Sequence, residues 1–211
     1  MSEQIKTTNL HIVNGSEGVR ISEAAQIDGR RRRSARSRAA IVTATLNLLD
    51  SGNLAPTAKQ IAAEAGVGLR SFFRHFEDMD ALLDAVDEHM RQYYEQLFSQ
   101  PPGDGSMDER IVDIITYRAE AYERLKKMMQ STMAHLWRSE MLQKNYGRNQ
   151  RNLSRHFDKW LPEFKSMPRE KYEAAHAAAS FEMWHRLRQH QKLNISEARE
   201  TVIAILRGLA D

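Results

Sequence analysis

Arg70 and Arg74 stand four residues apart, the spacing that brings two side chains to one side of a helix. A guanidinium presents a planar fork of donors that suits the acceptor edge of guanine or the oxygens of a phosphate. On an ordinary helix such a pair is simply a solvated basic face. The setting here points elsewhere. Residues 57–76 read TAKQIAAEAGVGLRSFFRHF, and the residue types suit two short helices packed across a tight turn. Ile61 and Ala62 give the first helix an inner face, and Ala65 is small enough for close helix contact. Gly66 suits the left-handed conformation that ends a helix, and Val67 can plug the junction. Phe72 and Phe76, again four apart, anchor the second helix. Leu69, Arg70, Ser71, Phe73, Arg74 and His75 are left to divide between exposed and junction positions. This is the composition of a helix-turn-helix, whose second helix offers its outer face to a groove.

A second concentration of charge precedes it. Arg30, Arg31, Arg32, Arg33, Arg36 and Arg38 follow a polar, glycine-containing stretch with no sustained period. Residues 1–33 read as a flexible basic arm. Its arginines either follow phosphates or a minor groove, or form a solubilising tail.

Other chemistries find little support. There is no cysteine, hence no disulfide framework, thiolate metal site or cysteine nucleophile. Eight histidines form no His-Glu-x-x-His pattern, and His185 and His190 are five apart rather than on one helical face. Gly15 and Gly18 lie in a polar stretch with no strand before them, so no phosphate loop is expected, and no Gly-x-Ser-x-Gly elbow is present. The expectation is a protein without catalytic activity, metal or cofactor. A net charge of +3 on 211 residues permits nucleic acid without demanding it. No run resembles a secretory leader or a membrane span, so the location expected is cytoplasmic.

The elements that would position these residues are helical throughout. One apolar stripe, Ile41, Ala44, Thr45, Leu48 and Leu49, ends at Ser51-Gly52-Asn53. Thr57 is placed to cap the next helix and Asp78 the fourth, whose stripe runs Leu82, Leu83, Val86, Met90, Tyr93, Tyr94, Leu97. After the break at Pro101-Pro102-Gly103-Asp104-Gly105, helices are expected over about 107–130, 131–138, 139–161, 169–191 and 196–209. No stretch alternates convincingly enough for a strand. The class is all-α, in three parts: the arm 1–33, a three-helix DNA-binding domain 34–80, and a helical domain 81–211, with helix 78–98 as connector.

Residues 34–97 resemble the N-terminal domain of the TetR family of bacterial regulators. The matching text is Thr57, Ile61-Ala62, Ala65-Gly66-Val67, Phe72-Phe73-Arg74-His75-Phe76 and Ala81-Leu82-Leu83. The resemblance implies that Thr57, Ser71, Phe73 and His75 fall where members touch phosphate, and Lys59, Leu69 and Arg70 where members approach base edges. Three positions depart from the pattern. Gly68 replaces the usual small hydroxyl cap, Phe73 stands where tyrosine is usual, and Met79 where a lysine commonly contacts phosphate. Each departure weakens attachment to the DNA backbone.

The C-terminal half resembles the family in size and helical pattern. The stripe Ile111, Ile114, Ile115, Arg118, Tyr122, Leu125, Met129 is interrupted by an arginine. Arg118 either extends its charge to water or lies buried against a carboxylate, a ligand's among the possibilities. With Tyr122, Met133, Trp137, Phe181 and Trp184 it forms the candidate ligand set, for an aromatic or amphipathic acid. The alanine-rich segment 174–179 and the stripe Ala198, Val202, Ile205, Leu206, Leu209 are compatible with the family's four-helix dimer interface, here helices 169–191 and 196–209. The function implied is a homodimeric regulator binding double-stranded operator DNA, a repressor released by a small-molecule effector. The alternative is a constitutive DNA-binding protein or an activator without such a ligand.

Overall fold

The computed structural model describes the backbone of residues 15–211 and the side chains of residues 29–211. Among the described residues there is no strand. Nine α-helices are joined by short turns: α1 Gly15–Asp50, α2 Ala58–Glu64, α3 Leu69–His75, α4 Met79–Leu97, α5 Met107–His135, α6 Glu140–Trp160, α7 Arg169–Ala178, α8 Phe181–His185 and α9 Ile195–Ala210.

The first fourteen residues of the arm lie outside those described. From Gly15 the backbone is helical, so Arg30–Arg33 belong to α1 rather than to a separate arm. The apolar stripe of α1 begins at Ile41. There Ile41, Val42, Ala44 and Leu49 are buried, and the Thr45 hydroxyl donates to the Ile41 carbonyl at 2.9 Å. The helix stops at Ser51-Gly52, where Gly52 takes φ +97° and the Asn53 amide closes back on the Leu48 carbonyl at 3.0 Å.

Two cores result. The N-terminal one gathers Ile41, Val42, Ala44, Ile61, Ala62, Phe72, Phe76, Leu82 and Val86, so that α1, α2, α3 and the first half of α4 share it. The larger one fills the space between α5, α6, α7, α8 and α9 with Ile111, Ile114, Tyr122, Phe157, Trp160, Phe164, Trp184 and Val202, among others. The α5 helix touches both regions. The Ser131 hydroxyl donates to the Leu54 carbonyl at 2.7 Å, tying α5 to the loop after α1.

Two further sequence expectations change. There is no break near residue 130, because α5 runs unbroken to His135 before the 3-10 turn Leu136–Arg138. The continuous helix expected over 169–191 is divided. It ends as α7 at Ala178, Ser180 caps α8 by accepting from the Met183 amide at 3.2 Å, and a π-helical turn occupies Arg186–His190. The physical reason is a pair of buried donors. Arg118 Nη1 and the Tyr122 hydroxyl both donate to the Ala179 carbonyl, at 2.9 and 2.8 Å, taking up an acceptor that the ended helix leaves unpaired.

Candidate DNA-reading surface and effector cavity

The reading head is assembled by local rules. Thr57 and Gln60 form a reciprocal capping box: the Gln60 amide donates to Thr57 Oγ1 at 3.3 Å and the Thr57 amide to Gln60 Oε1 at 2.9 Å. At the other end of α2, Gly66 takes φ +65° while the Val67 amide reaches back to the Ala62 carbonyl at 2.9 Å. That closure turns the chain within three residues into α3. Gly68 caps α3 with no side-chain hydrogen bond. Phe72 and Phe76 are fully buried and hold α3 against α1 and α4.

With those two rings fixed inward, the opposite side of α3 is open. Arg70 and Arg74 are exposed, and Leu69 and Phe73 remain 43% and 50% accessible, unusually high for large apolar side chains. Lys59 and Thr57 are exposed beside them on α2 and its cap. Ser71 is half-buried and accepts from Arg74 Nη2 at 2.7 Å. His75 is also half-buried; burial first, then the charges of Arg74 and Arg38, hold its pKa below the usual histidine value. Neutral His75 therefore adds no charge to a surface whose cations are arginines and Lys59.

The N-terminal extension of α1 joins this surface. The Arg38 guanidinium stacks 4.7 Å from the centre of the Phe76 ring at the end of α3. Arg30–Arg33 lie two turns further out on the same helix, all exposed, with Arg33 Nε donating to the Gly29 carbonyl at 3.2 Å.

The ligand set expected from the sequence clusters in the core, Trp137 apart, but encloses no ligand-sized cavity. Arg118 is neither at the surface nor paired with a carboxylate. It is buried, donates to the carbonyls of Ala179 and Leu153 at 2.9 and 2.7 Å, and lies 5.5 Å from the Phe157 ring centre. Burial holds its pKa below the usual guanidinium value. Phe181 is core, and Trp184 donates to Glu123 Oε1 at 3.0 Å. Met133 packs at the edge of that core, whereas Trp137 stands 79% exposed on the turn after α5. Arg118, Tyr122 and Trp184 border a void of only about 10 Å³, room for one water molecule.

A far larger cavity, about 730 Å³, opens between α4, α5 and α6. None of the six expected residues lines it. Its wall is apolar along Leu83, Val86, Leu125, Met128, Leu142 and Leu153, with Phe98 and His156 at one end and Leu49 of α1 at the other. The Tyr94 hydroxyl donates to the Met128 sulfur across it. His156 is kept neutral by burial first, and then by Arg118 and Lys159, which together push its pKa down to about 4 against a small opposing pull from the Gln100 carbonyl. Its Nε2 accepts from Trp160 Nε1 at 3.0 Å.

Parallel to one another along one edge of the cavity, α4 and α6 are joined by a polar zipper. Asp80 Oδ2 accepts from Ser139 Oγ at 2.9 Å, Asp84 Oδ1 from Asn145 Nδ2 at 3.1 Å, and Asp87 Oδ2 from Arg148 Nη2 at 2.5 Å. Sequence reasoning missed this feature. Its signal was present in the spacing of Asp80, Asp84 and Asp87, which puts three carboxylates on one stripe of α4.

A two-helix unit whose second helix is anchored by aromatics and exposes arginine beside lysine defines a helix-turn-helix DNA-binding protein. Residues 41–86 match the family described as bacterial regulatory proteins, tetR family. That match covers the reading head, from within α1 to within α4. Among solved structures, a putative fatty acid metabolism regulator from Clostridium perfringens superposes with a TM-score of 0.53 at 17% identity, covering 80% of this chain and 97% of that one. At that identity the likeness is one of fold. No curated protein is similar in sequence. Among the described residues, no helix is long and apolar enough to cross a membrane, and no three histidine or acidic side chains gather as a metal site.

Proposed function

We propose that the protein is an operator-binding repressor, working as a homodimer and released from DNA by a small molecule held between α4, α5 and α6. The observation that carries this reading is the position of α4. One end of that helix is built into the core of the reading head through Leu82 and Val86, and its length forms a wall of the 730 Å³ cavity. A molecule in the cavity therefore bears on the helix that carries α3. A ligand that favours a different setting of α4 shifts the population away from the DNA-competent dimer.

Base contacts are assigned to Lys59, Leu69 and Arg70, phosphate contacts to Thr57, Ser71, Arg74 and His75, and Phe73 lies against the DNA backbone without a hydrogen bond to it. Arg30–Arg33 on the α1 extension follow the phosphates. The reading head comprises the described part of residues up to 80, and residues 81–211 form the effector and dimerisation domain. The dimer uses α7 to α9, bringing two copies of α3 about 34 Å apart to meet successive major grooves. The effector residues are those lining the α4–α5–α6 cavity rather than the set around Arg118. A volume of this size lies within the range of small-molecule sites.

The test has two stages. Fragments of the source genome retained by the full-length protein identify an operator. Anisotropy titration of that operator, with and without candidate metabolites, then measures release. The expected result is a metabolite that raises the apparent Kd for DNA and also raises the thermal midpoint of the free protein. A protein that no metabolite of this kind affects would be the constitutive binder.

A further inference from the structure

The zipper between α4 and α6 stops halfway along the cavity. Beyond the Asp87–Arg148 pair, no hydrogen bond or ion pair joins the two helices among the described residues until the Phe98 ring meets that of His156, 6.0 Å between centres. Between these two points the helices are separated by the open side of the cavity. The charge along that opening is unbalanced. The lining holds Arg91, Arg148, Arg155 and Lys159 against Asp87 and Glu95, with Arg91 also paired to Glu88 just outside it. Arg155 meets the amide oxygen of Asn152 rather than a carboxylate. Behind the charges lies the apolar wall of Val86, Leu125 and Met128.

We propose that the cavity takes an amphipathic carboxylic acid, whose acid group pairs with Arg148 in place of Asp87 while its apolar body lies along α5. The proposal rests on the effector reading of this cavity. The exchange keeps Arg148 paired throughout, since one carboxylate leaves as another arrives. Asp87 retains a second partner, Arg91 Nη2 at 3.8 Å. The Arg148 side chain is one-third accessible, so the outgoing pair is near water, where an ion pair is easily exchanged. An amphipath with a neutral head cannot make this exchange, and one with a cationic head meets an excess of like charge. Arg118, a buried cation behind the lining, is already engaged by two carbonyls and is not available to the acid.

The consequence is regulatory. Asp87–Arg148 is the last tie between α4 and α6 before the opening, and its loss leaves Asp80 and Asp84, near the reading head, as the polar ties between the two helices among the described residues. The same acid that fills the cavity thus unfastens the helix that positions α3.

The experiment compares dodecanoate with dodecan-1-ol, both below their aggregation limits, by calorimetric titration of the full-length protein at pH 7.5. The expected result is at least tenfold tighter binding of the acid. Arg148→Met should bring the two affinities together without changing that of the alcohol. Asp87→Asn, which loosens the tie while keeping the side-chain shape, should preserve or tighten acid binding and weaken DNA binding without any ligand. Equal affinity for acid and alcohol in the unaltered protein would overturn the acid proposal while leaving the effector cavity standing. So would a preference that survives in a folded Arg148→Met protein, or in Arg148→Gln should the methionine variant not fold. If neither compound binds and neither displaces DNA, the effector reading falls as well.

Discussion

Arg118 donates through Nη1 to the Ala179 carbonyl at 2.9 Å, where α7 ends and the chain turns into α8. A buried guanidinium without a carboxylate partner is normally unfavourable. Here two carbonyl oxygens, of Ala179 and Leu153, and the Phe157 ring face accommodate it. The arginine is therefore a structural tie across α5, α6 and the α7–α8 junction. Arg118→Ala removes two charge-assisted hydrogen bonds and leaves a void, which should cost about 3 kcal/mol. In a protein of this size that corresponds to a fall in thermal midpoint of roughly 6–12 °C. Scanning calorimetry would check it, and affinity for operator DNA measured at 20 °C should be nearly unchanged.

His156 gives the protein an acid-side weakness. Burial holds its pKa at about 4 in the folded chain, below the unfolded value near 6.5. The unfolded state therefore binds a proton that the folded state refuses, and stability falls as pH drops from about 6.5 towards about 4. His75, His176 and His185 are shifted in the same direction. His156→Gln should remove its own share, up to about 3 kcal/mol over that interval. The check is the fall in urea midpoint from pH 7 to pH 5, which should be smaller in the variant than in the unaltered protein.

Phe73 is half exposed on the open side of α3, in a position where the family resemblance places tyrosine. Phe73→Tyr adds a neutral donor at that surface without filling the core. A hydrogen bond to a phosphate should tighten DNA binding about tenfold, within the range for a bond to a charged group. Because no charge is added, the dependence of log K on log salt should keep its slope. Anisotropy titrations at several salt concentrations separate the two effects.

For the arginines on the extension of α1 the expectation is the reverse. Replacing Arg30, Arg31, Arg32 and Arg33 by glutamine preserves helical propensity and removes four positive charges. If they follow the DNA backbone, the salt slope should fall by about 0.9 for each phosphate no longer neutralised, so by about 2 to 4 in all. The folded state should be little affected, since these side chains are exposed and precede the buried stripe of α1. An unchanged slope would make this segment a solubilising one.

The reading head was legible in the sequence because each of its parts is fixed by neighbours in the chain. Thr57 with Gln60, Ala62 with Val67 and Phe72 with Phe76 interact across three to five positions, and the residue type required at each is distinctive. The C-terminal half was legible as helices but not as a site. Arg118 and Ala179 are 61 residues apart, and a periodic stripe says that a side chain faces inward without saying what it meets there. The break at Ala179 had the same origin. A run of alanines favours helix, and the two donors on α5 act with the Ser180 cap to stop it. The cavity was missed because it lies where α4 and α6 part, and two helices that do not touch leave no pattern in either sequence. The Asp80, Asp84, Asp87 stripe marked the joined half of that edge, but its partners on α6 follow by about sixty residues.

If α3 reads DNA sequence through Arg70 while α1 and the rest of the head hold to the backbone, Arg70→Ala must separate specific from non-specific binding. The deciding measurement is the affinity of that variant for a selected operator and for a scrambled duplex of equal length and composition, at one fixed salt concentration. The expected result is a loss of about 1–3 kcal/mol on the operator, roughly fivefold to a hundredfold or more in Kd, with a much smaller change on the scrambled duplex. Equal losses on both duplexes would make Arg70 a phosphate contact, and no loss on either would contradict the assignment of α3 as the reading helix.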